Sequence, residues 1–178
     1  MGKYNILIGD IVSDEILEGH DLIINPTNPA MLCGSGVCGA IFKKAGVDEL
    51  ENYTQKEFNI NRFSEYDYHK ENMMKVGEVR ITPGFDLGID IMFVQGPRKY
   101  DYTDPVDILL DTYNKMLSEL ENSKYKNILL PSLGTGVYGY THEEVGEKVA
   151  KLLKEFVIDK DINIDLVLLD EEYKKYYE

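Results

Sequence analysis

Two short glycine-rich segments carry the same pattern and are the clearest candidates for ligand chemistry. Residues 34–39 read GSGVCG and residues 134–139 read GTGVYG, so both have the form G-[ST]-G-V-x-G. Each lies between an apolar run and a helical pattern. Glycines there let the backbone turn tightly and approach a ligand, and a helix start adds unpaired N–H groups and a positive dipole end. The two loops together predict a site that binds one diphosphate from opposite sides without Lys or Arg.

Both loops also fit the G-x-G-x-x-G fingerprint of Rossmann domains, so an NAD-dependent oxidoreductase is an alternative interpretation. That fingerprint directly follows the first strand of its domain. Here the first apolar run continues into Gly9-Asp10-Ile11, and the first glycine loop comes after a later strand. A Walker A loop requires Lys after its last glycine, where this chain has Ala40. The Rossmann pattern therefore fits less well, and the P-loop pattern does not fit.

Three polar side chains adjoin the loops, and each has a structural alternative. Asn28 ends the NPTN segment of residues 25–28, and its amide can donate to and accept from sugar hydroxyls or a water. It can equally be an Asx-turn residue. Asp10 can accept a hydrogen bond from an exocyclic amine or cap a loop. Tyr138 can pack on a sugar ring or belong to the core.

The elements that must position these residues alternate between apolar strands and amphipathic helices. Runs rich in Ile, Leu and Val predict buried strands at residues 4–8, 21–24, 79–82, 89–94, 127–130 and 164–169. Helical spacing predicts helices at residues 37–45, 47–58, 105–120 and 141–156, and a short one at 170–177. Thr141 and Glu144 match the capping-box pattern. The segment between the third and fourth strands is too short for a helical crossover, so these strands are predicted to be antiparallel within a mixed α/β sheet.

Composition limits the kinds of partner. The chain has 178 residues, and we expect residues 1–178 to form one domain. Its 19 Lys and Arg against 32 Asp and Glu give a net charge of −13, which disfavours nucleic acids and anionic membrane surfaces. No secretory or membrane-spanning pattern is visible. A monomeric, cytoplasmic protein is the expectation.

Cysteine and histidine positions indicate neither a disulfide framework nor a metal site. Cys33 and Cys38 lie five residues apart, and His20, His69 and His142 are scattered singly. His20 precedes an apolar strand and His142 begins a helix, so both are interpreted as structural. We therefore expect no metal and no cofactor.

With these motifs in this order, the sequence resembles the macrodomain family of ADP-ribose-binding modules over nearly the whole chain. The resemblance rests on residues 9–11, 25–28, 34–41, 96–97 and 131–139. It implies a three-layer α/β/α sandwich with a mixed, six-stranded sheet and a ligand cleft at the ends of the central strands. The nearest likeness is to the hydrolytic MacroD-like and alphavirus-type branch, whose members process ADP-ribose derivatives such as Appr-1''-p.

The resemblance also implies roles for individual residues. Asp10 and Ile11 would contact adenine, Tyr173 matches a position that flanks adenine in some members, and Asn28 would hold the distal ribose. The implied ligand-binding residues are Asp10, Ile11, Asn25, Gly34, Ser35, Gly36, Val37, Ser132, Gly134, Thr135, Gly136, Val137, Tyr138 and Tyr173. The implied catalytic residues are Asn28, Gly36 and Cys38.

Cys38 departs from one hydrolytic subclass, in which an aspartate at this position orients or activates water. A thiol cannot replace that carboxylate, although a helix start can lower a thiol pKa. Alphavirus-type members, which include hydrolases, have Gly-Val-Cys here. The resemblance thus implies substrate-assisted removal of mono-ADP-ribose from proteins, or cleavage of esters such as O-acetyl-ADP-ribose, with water held by the ligand's own phosphate. A non-catalytic ADP-ribose reader is the alternative.

Overall fold

The computed structural model describes residues 1–178 as six strands and five α-helices. The strands are Tyr4–Ile8 (β1), Leu22–Pro26 (β2), Val79–Thr82 (β3), Asp90–Val94 (β4), Asn127–Pro131 (β5) and Asn163–Leu168 (β6). The helices are Asp14–Leu17 (α1), Gly36–Ala45 (α2), Val47–Glu57 (α3), Pro105–Glu121 (α4) and His142–Val157 (α5). Every predicted strand is present: β1 and β3 have the predicted bounds, and the bounds of the other four differ by one or two residues.

The strands form one mixed sheet in the order β1-β6-β5-β2-β4-β3. All neighbours are parallel except β3 and β4, which are antiparallel. The predicted antiparallel pair and mixed sheet are therefore confirmed. Because β6, β5 and β2 are parallel neighbours, their carboxyl ends lie together at one edge of the sheet. The two glycine loops follow β2 and β5, so the topology brings both to that edge.

The sheet lies between two helical layers, which confirms the three-layer sandwich. Alternate residues of β2 show why: Leu22 and Ile24 belong to a core of 23 buried residues, whereas Ile23 belongs to another of 16. Helices α4 and α5 pack on the first face, and α2 and α3 pack on the second. Strands with two buried faces need the nearly continuous apolar sequences seen here.

Short elements differ most from expectation. Helix α1 was not predicted, because four residues are too few to show a helical period; its N-cap is Ser13, whose Oγ accepts from Ile16 N at 3.4 Å. The predicted terminal helix is a 3₁₀ helix, Glu171–Tyr176. An isolated segment of this length forms few α-helical hydrogen bonds, and the tighter 3₁₀ form suits such pieces. None of the helices combines the length and hydropathy needed to cross a bilayer.

Candidate functional site

A cleft of about 410 Å³ opens at the carboxyl ends of β2, β5 and β6. This is where open α/β sheets bind ligands, outside the ends of their central strands. The lining residues come from the β2 end and first glycine loop, from the β5 end and second loop, and from the β6 end and the helices beyond. They are Pro26, Thr27, Asn28, Gly34, Ser35, Gly36, Val37, Cys38, Pro131, Ser132, Gly134, Thr135, Gly136, Val137, Tyr138, His142, Val167, Leu168, Leu169 and Tyr173.

The first glycine loop ends at an uncapped helix start. Ser35 is the N-cap of α2, and its side chain makes no capping hydrogen bond. The backbone N–H groups of Ser35, Gly36 and Val37 have no acceptor within the protein. Gly36 has a φ of +57°, and a Cβ built on it would meet nothing within 4 Å. The loop thus offers free donors and open space at the positive end of a helix dipole.

The second glycine loop offers free donors without a helix start of its own. The N–H groups of residues 134–138 have no acceptor within the protein. Helix α5 begins only at His142, and its first turn is satisfied by the predicted capping box, in which Thr141 Oγ1 accepts from Glu144 N. Gly134 is required sterically, because it has a φ of +83° and its Cβ would lie 2.7 Å from the Tyr140 ring. The donors of this loop therefore come from its turn geometry.

Asn28 lines the cleft and also organises the chain beside it. Its Oδ1 accepts from Leu32 N at 3.1 Å, and its Nδ2 donates to Leu32 O at 2.6 Å. The turn interpretation is confirmed, and the residue also faces the cleft. An amide nitrogen carries two protons, so one Nδ2 hydrogen remains for a ligand.

Cys38 lies beneath the first loop, on the buried side of α2. Only 6% of the residue is exposed, and its Sγ contacts Leu32 O at 3.7 Å. Burial raises the pKa of the Cys38 thiol, although backbone groups of Gly34 and Asn28 favour the thiolate in part. The suggestion of a lowered pKa at a helix start is therefore wrong for this residue, since desolvation outweighs the helix terminus. The thiol is neither a base nor an activated nucleophile at neutral pH.

We expect Cys38 to resist alkylation in the folded protein at pH 8, because its thiol is protonated and buried. Iodoacetamide labelling followed by mass spectrometry measures this, with Cys33→Ser to isolate the one thiol. Modification should be slow in buffer and complete in denaturant. Fast labelling of folded Cys33→Ser would contradict the assigned burial and pKa direction.

Three residues implied by the resemblance lie outside the cleft lining. Asp10 is exposed at the end of β1, and its Oδ1 accepts from Val12 N at 3.1 Å, which is the loop-capping role. Ile11 is buried. Asn25 is fully buried in β2, and neither its Oδ1 nor its Nδ2 has a hydrogen-bond partner. Because Gly9 N donates to Leu168 O at 2.9 Å, Asp10 and Ile11 follow directly beside the β6 end of the cleft.

Tyr138 connects the second loop to the far side of the cleft. Its hydroxyl accepts from Gln95 Nε2 at 3.1 Å and donates to Thr27 O at 3.4 Å. The phenol therefore ties the loop after β5 to the ends of β2 and β4. The ring lines the cleft at the same time, so Tyr138 is more than a core aromatic.

His142, interpreted from the sequence as structural, lines the cleft. Its ring stacks on Tyr173 with centroids 4.0 Å apart, and its Nδ1 is 2.7 Å from the Tyr177 hydroxyl. Burial lowers the pKa of His142, which keeps the imidazole neutral at pH 7. The only sequence signal that His142 would line the cleft was its position three residues after the second loop. His20, the other histidine interpreted as structural, does contact Asp165, with Nε2 and Oδ2 2.6 Å apart.

The sequence model of the family described as Macro domain matches residues 24–149. The chain belongs to the Macro domain family. The matched segment runs from β2 into α5 and includes both glycine loops and the strands before them. The family suggested by the motifs is thereby confirmed.

Relatives of this macrodomain are similar over most of its length or nearly all of it. An O-acetyl-ADP-ribose deacetylase of Escherichia fergusonii is 29% identical over 179 residues, covering 98% of this chain and 93% of that protein. A Macro domain-containing protein of Vibrio parahaemolyticus is 29% identical over 148 residues, covering 83% and 79%. A variant of the Oceanobacillus iheyensis macrodomain, solved with ADPR, is 30% identical with a TM-score of 0.81, covering 97% of this chain and 88% of that one.

The carboxylate of Glu144 stabilises the position of the second loop in this macrodomain. Glu144 Oε2 accepts from Lys99 Nζ at 2.8 Å and from Thr141 N at 2.7 Å. Lys99 in turn donates its backbone N–H to Tyr138 O at 2.9 Å. Although partial burial opposes it, the bonds from Lys99 and Thr141 hold the pKa of Glu144 below its ordinary value. The start of α5 and the segment after β4 therefore fix the loop together.

We expect Glu144→Gln to lower the free energy of unfolding by about 0.5–1 kcal/mol at pH 7, because a partly buried ion pair and charged cap are lost. Urea denaturation measures it, with the exposed neighbour Glu143→Gln as the matched control. Since folding lowers the pKa of Glu144, its contribution is present above the unfolded value of about 4.3 and is lost as the pH falls below it. A difference from wild type that persists at pH 2 would contradict the assignment to this charge.

Proposed function

We propose that this macrodomain binds ADP-ribose in the cleft and hydrolyses mono-ADP-ribose from modified proteins, or related esters such as O-acetyl-ADP-ribose. The observation that supports it most is the pair of facing loops whose backbone N–H groups lack protein acceptors. Backbone donors of this kind bind a diphosphate without Lys or Arg, which suits a chain of net charge −13. The relatives are consistent with this, because one is an O-acetyl-ADP-ribose deacetylase and another was solved with ADPR.

The diphosphate position divides the cleft into two ends, and the assignment of Asn28 to the distal ribose, implied by the family resemblance, sets the direction of the ligand. The loop after β5 lies between the β6 end and the β2 end of the cleft. One ribose would then lie on the β2 side, near Asn28 and Cys38, and the adenosine half would lie on the β6 side, near Leu169 and Tyr173. Asn28 retains a free amide hydrogen there, which supports its assignment to the distal ribose.

The lining beside Asn28 offers no protein base for hydrolysis, because His142 lies at the other end of the cleft. It contains no Asp or Glu, and Cys38 is a buried thiol with a raised pKa. We therefore place the water between the ligand's phosphate and the distal ribose. For a Glu or Asp acceptor linked at the anomeric carbon, the water oxygen bonds to that carbon as the bond to the acceptor oxygen breaks, the acceptor leaves as a carboxylate, and the water proton passes to solvent through the phosphate. The loops contribute orientation and charge stabilisation, and the step needs no metal or cofactor.

The absence of a carboxylate from the lining also favours the second candidate, a reader that binds ADP-ribose without turnover. A time course of free ADP-ribose released from a protein mono-ADP-ribosylated on Glu and Asp separates the two. We expect release, and its loss in Asn28→Ala. Tight ADP-ribose binding with no release would support the reader instead, and no binding would reject both.

A further inference from the structure

The last nine residues, 170–178, form a C-terminal segment that is fixed to α5 and β1. Tyr177 is fully buried, and its backbone carbonyl accepts from Tyr4 Oη at 2.9 Å. Helix α5 permits this close approach because it has Gly146, where a Cβ would lie 2.5 Å from Tyr176 O. Lys154 Nζ also donates to the Glu178 carbonyl. The segment is therefore an integral part of the fold near the cleft.

The hydroxyl of Tyr177 links two cleft-lining residues that belong to different elements. It lies 2.6 Å from Ser132 Oγ, after β5, and 2.7 Å from His142 Nδ1, at the start of α5. Burial raises the pKa of Tyr177 to about 12, so this hydroxyl is protonated and both donates and accepts. The three side chains thus form one chain of hydrogen bonds. The bond to Nδ1 fixes the orientation of the His142 ring.

The oriented imidazole forms the outer wall of the cleft together with Tyr173. The two rings are stacked, with centroids 4.0 Å apart and an angle of 25° between their planes. Both residues line the cleft on the β6 side, with Leu168 and Leu169. The protein gives His142 Nε2 no hydrogen-bond partner. This wall lies at the opposite end of the cleft from Asn28.

We propose that Tyr177 and His142 are positioning residues for purine recognition: their hydrogen bond holds the stacked His142–Tyr173 pair as a rigid surface for the base. The inference rests on the proposed function, which puts the adenosine half of the ligand on the β6 side. A wall that is already ordered loses little conformational entropy when the base binds. A purine also covers more of a flat aromatic surface than a pyrimidine does, so its stacking buries more apolar area. The segment would therefore set base preference as well as affinity.

Tyr177→Phe tests this, because it removes the hydroxyl and keeps the buried ring. Calorimetry with ADP, UDP and ADP-ribose should show about three- to tenfold weaker binding of ADP and ADP-ribose, because the hydrogen bond that orients His142 is lost. UDP should be affected less, so the preference for ADP over UDP falls. Tyr125→Phe is the matched control, because it removes a buried tyrosine's bond to Asp90 at the other edge of the sheet. The control should retain wild-type affinity and preference.

His142 supplies a second test that does not depend on Tyr177→Phe folding. His142→Ala removes the stacked ring and should reduce the preference for ADP over UDP at least as strongly. His142→Phe restores a ring without the hydrogen bond and should recover part of that preference. Unchanged affinities and preference in His142→Ala and in folded Tyr177→Phe would overturn the positioning role. A wild-type protein that binds neither ADP nor ADP-ribose would instead reject the proposed function.

Discussion

Gly36→Glu is expected to abolish ADP-ribose binding, with Kd rising by at least about 100-fold. Gly36 begins α2 with a φ of +57°, and its N–H is one of the unpaired donors of the first loop. A glutamate would add bulk and a negative charge where the diphosphate must approach. Two like charges about 4 Å apart repel by roughly 4 kcal/mol at an effective dielectric of about 20. Calorimetry with ADP-ribose measures the loss.

Gly88 provides the matched control for this substitution. It also has a positive φ, +85°, and a Cβ there would likewise meet nothing within 4 Å. It lies just before β4, at the edge of the sheet opposite the cleft. Gly88→Glu therefore adds the same charge and a comparable backbone strain while leaving the binding site intact, and its affinity should equal that of wild type. Unchanged affinity in Gly36→Glu would remove the first loop from the site.

The sequence was most informative where an element is long or its pattern is repeated. The central strands β2, β4 and β5 were predicted because they have two buried faces and hence nearly uninterrupted apolar runs, as Leu22, Ile23 and Ile24 illustrate. Helix α5 was predicted from its apolar spacing and from the capping box of Thr141 and Glu144. Helix α1 and the 3₁₀ geometry of residues 171–176 were not predicted, because caps and tertiary contacts determine the conformation of such short segments.

The features of the candidate site were likewise predicted only where they depend on local sequence. The two glycine loops were predicted because local sequence determines a tight turn, and both line the cleft. His142 was not predicted to line the cleft, because its position depends on a contact with Tyr177, which is distant in sequence. The direction of the Cys38 pKa was also missed, since burial on the inner side of α2 is a tertiary property. The sequence therefore predicted the backbone donors of the loops, but not the contacts between side chains that are distant in the chain.

Asn28 and Cys38 are coupled through a shared backbone group. Both contact the carbonyl of Leu32, Asn28 through Nδ2 at 2.6 Å and Cys38 through Sγ at 3.7 Å. The chain between β2 and the first loop is thus folded around the Asn28 amide. Asn28 therefore shapes the cleft and is also proposed to hold the reacting sugar. Measuring kcat and the Kd of ADP-ribose separately in a mutant distinguishes these two roles.

Asn28→Ala is expected to lower kcat by about 100-fold while changing the Kd of ADP-ribose by less than about threefold. In the proposed complex the diphosphate is held by the loop N–H groups, which the mutation leaves in place. The distal ribose loses the amide that orients its anomeric carbon toward water. Single-turnover release of ADP-ribose from a modified protein gives the rate, and calorimetry gives the affinity.

The main competing explanation is that losing both Leu32 hydrogen bonds deforms the first loop. Deformation would misplace the N–H donors, so affinity and turnover would fall together, and that outcome would contradict a role at the sugar. Asn122→Ala controls for the loss of an asparagine-to-backbone bond, because Asn122 Nδ2 donates to Ser118 O at the end of α4. Cys38→Ala controls for the second contact to Leu32 O, and because the thiol is neutral and buried, its kcat should stay within about threefold of wild type. A selective loss of kcat in Asn28→Ala alone would assign the amide to the reacting ribose.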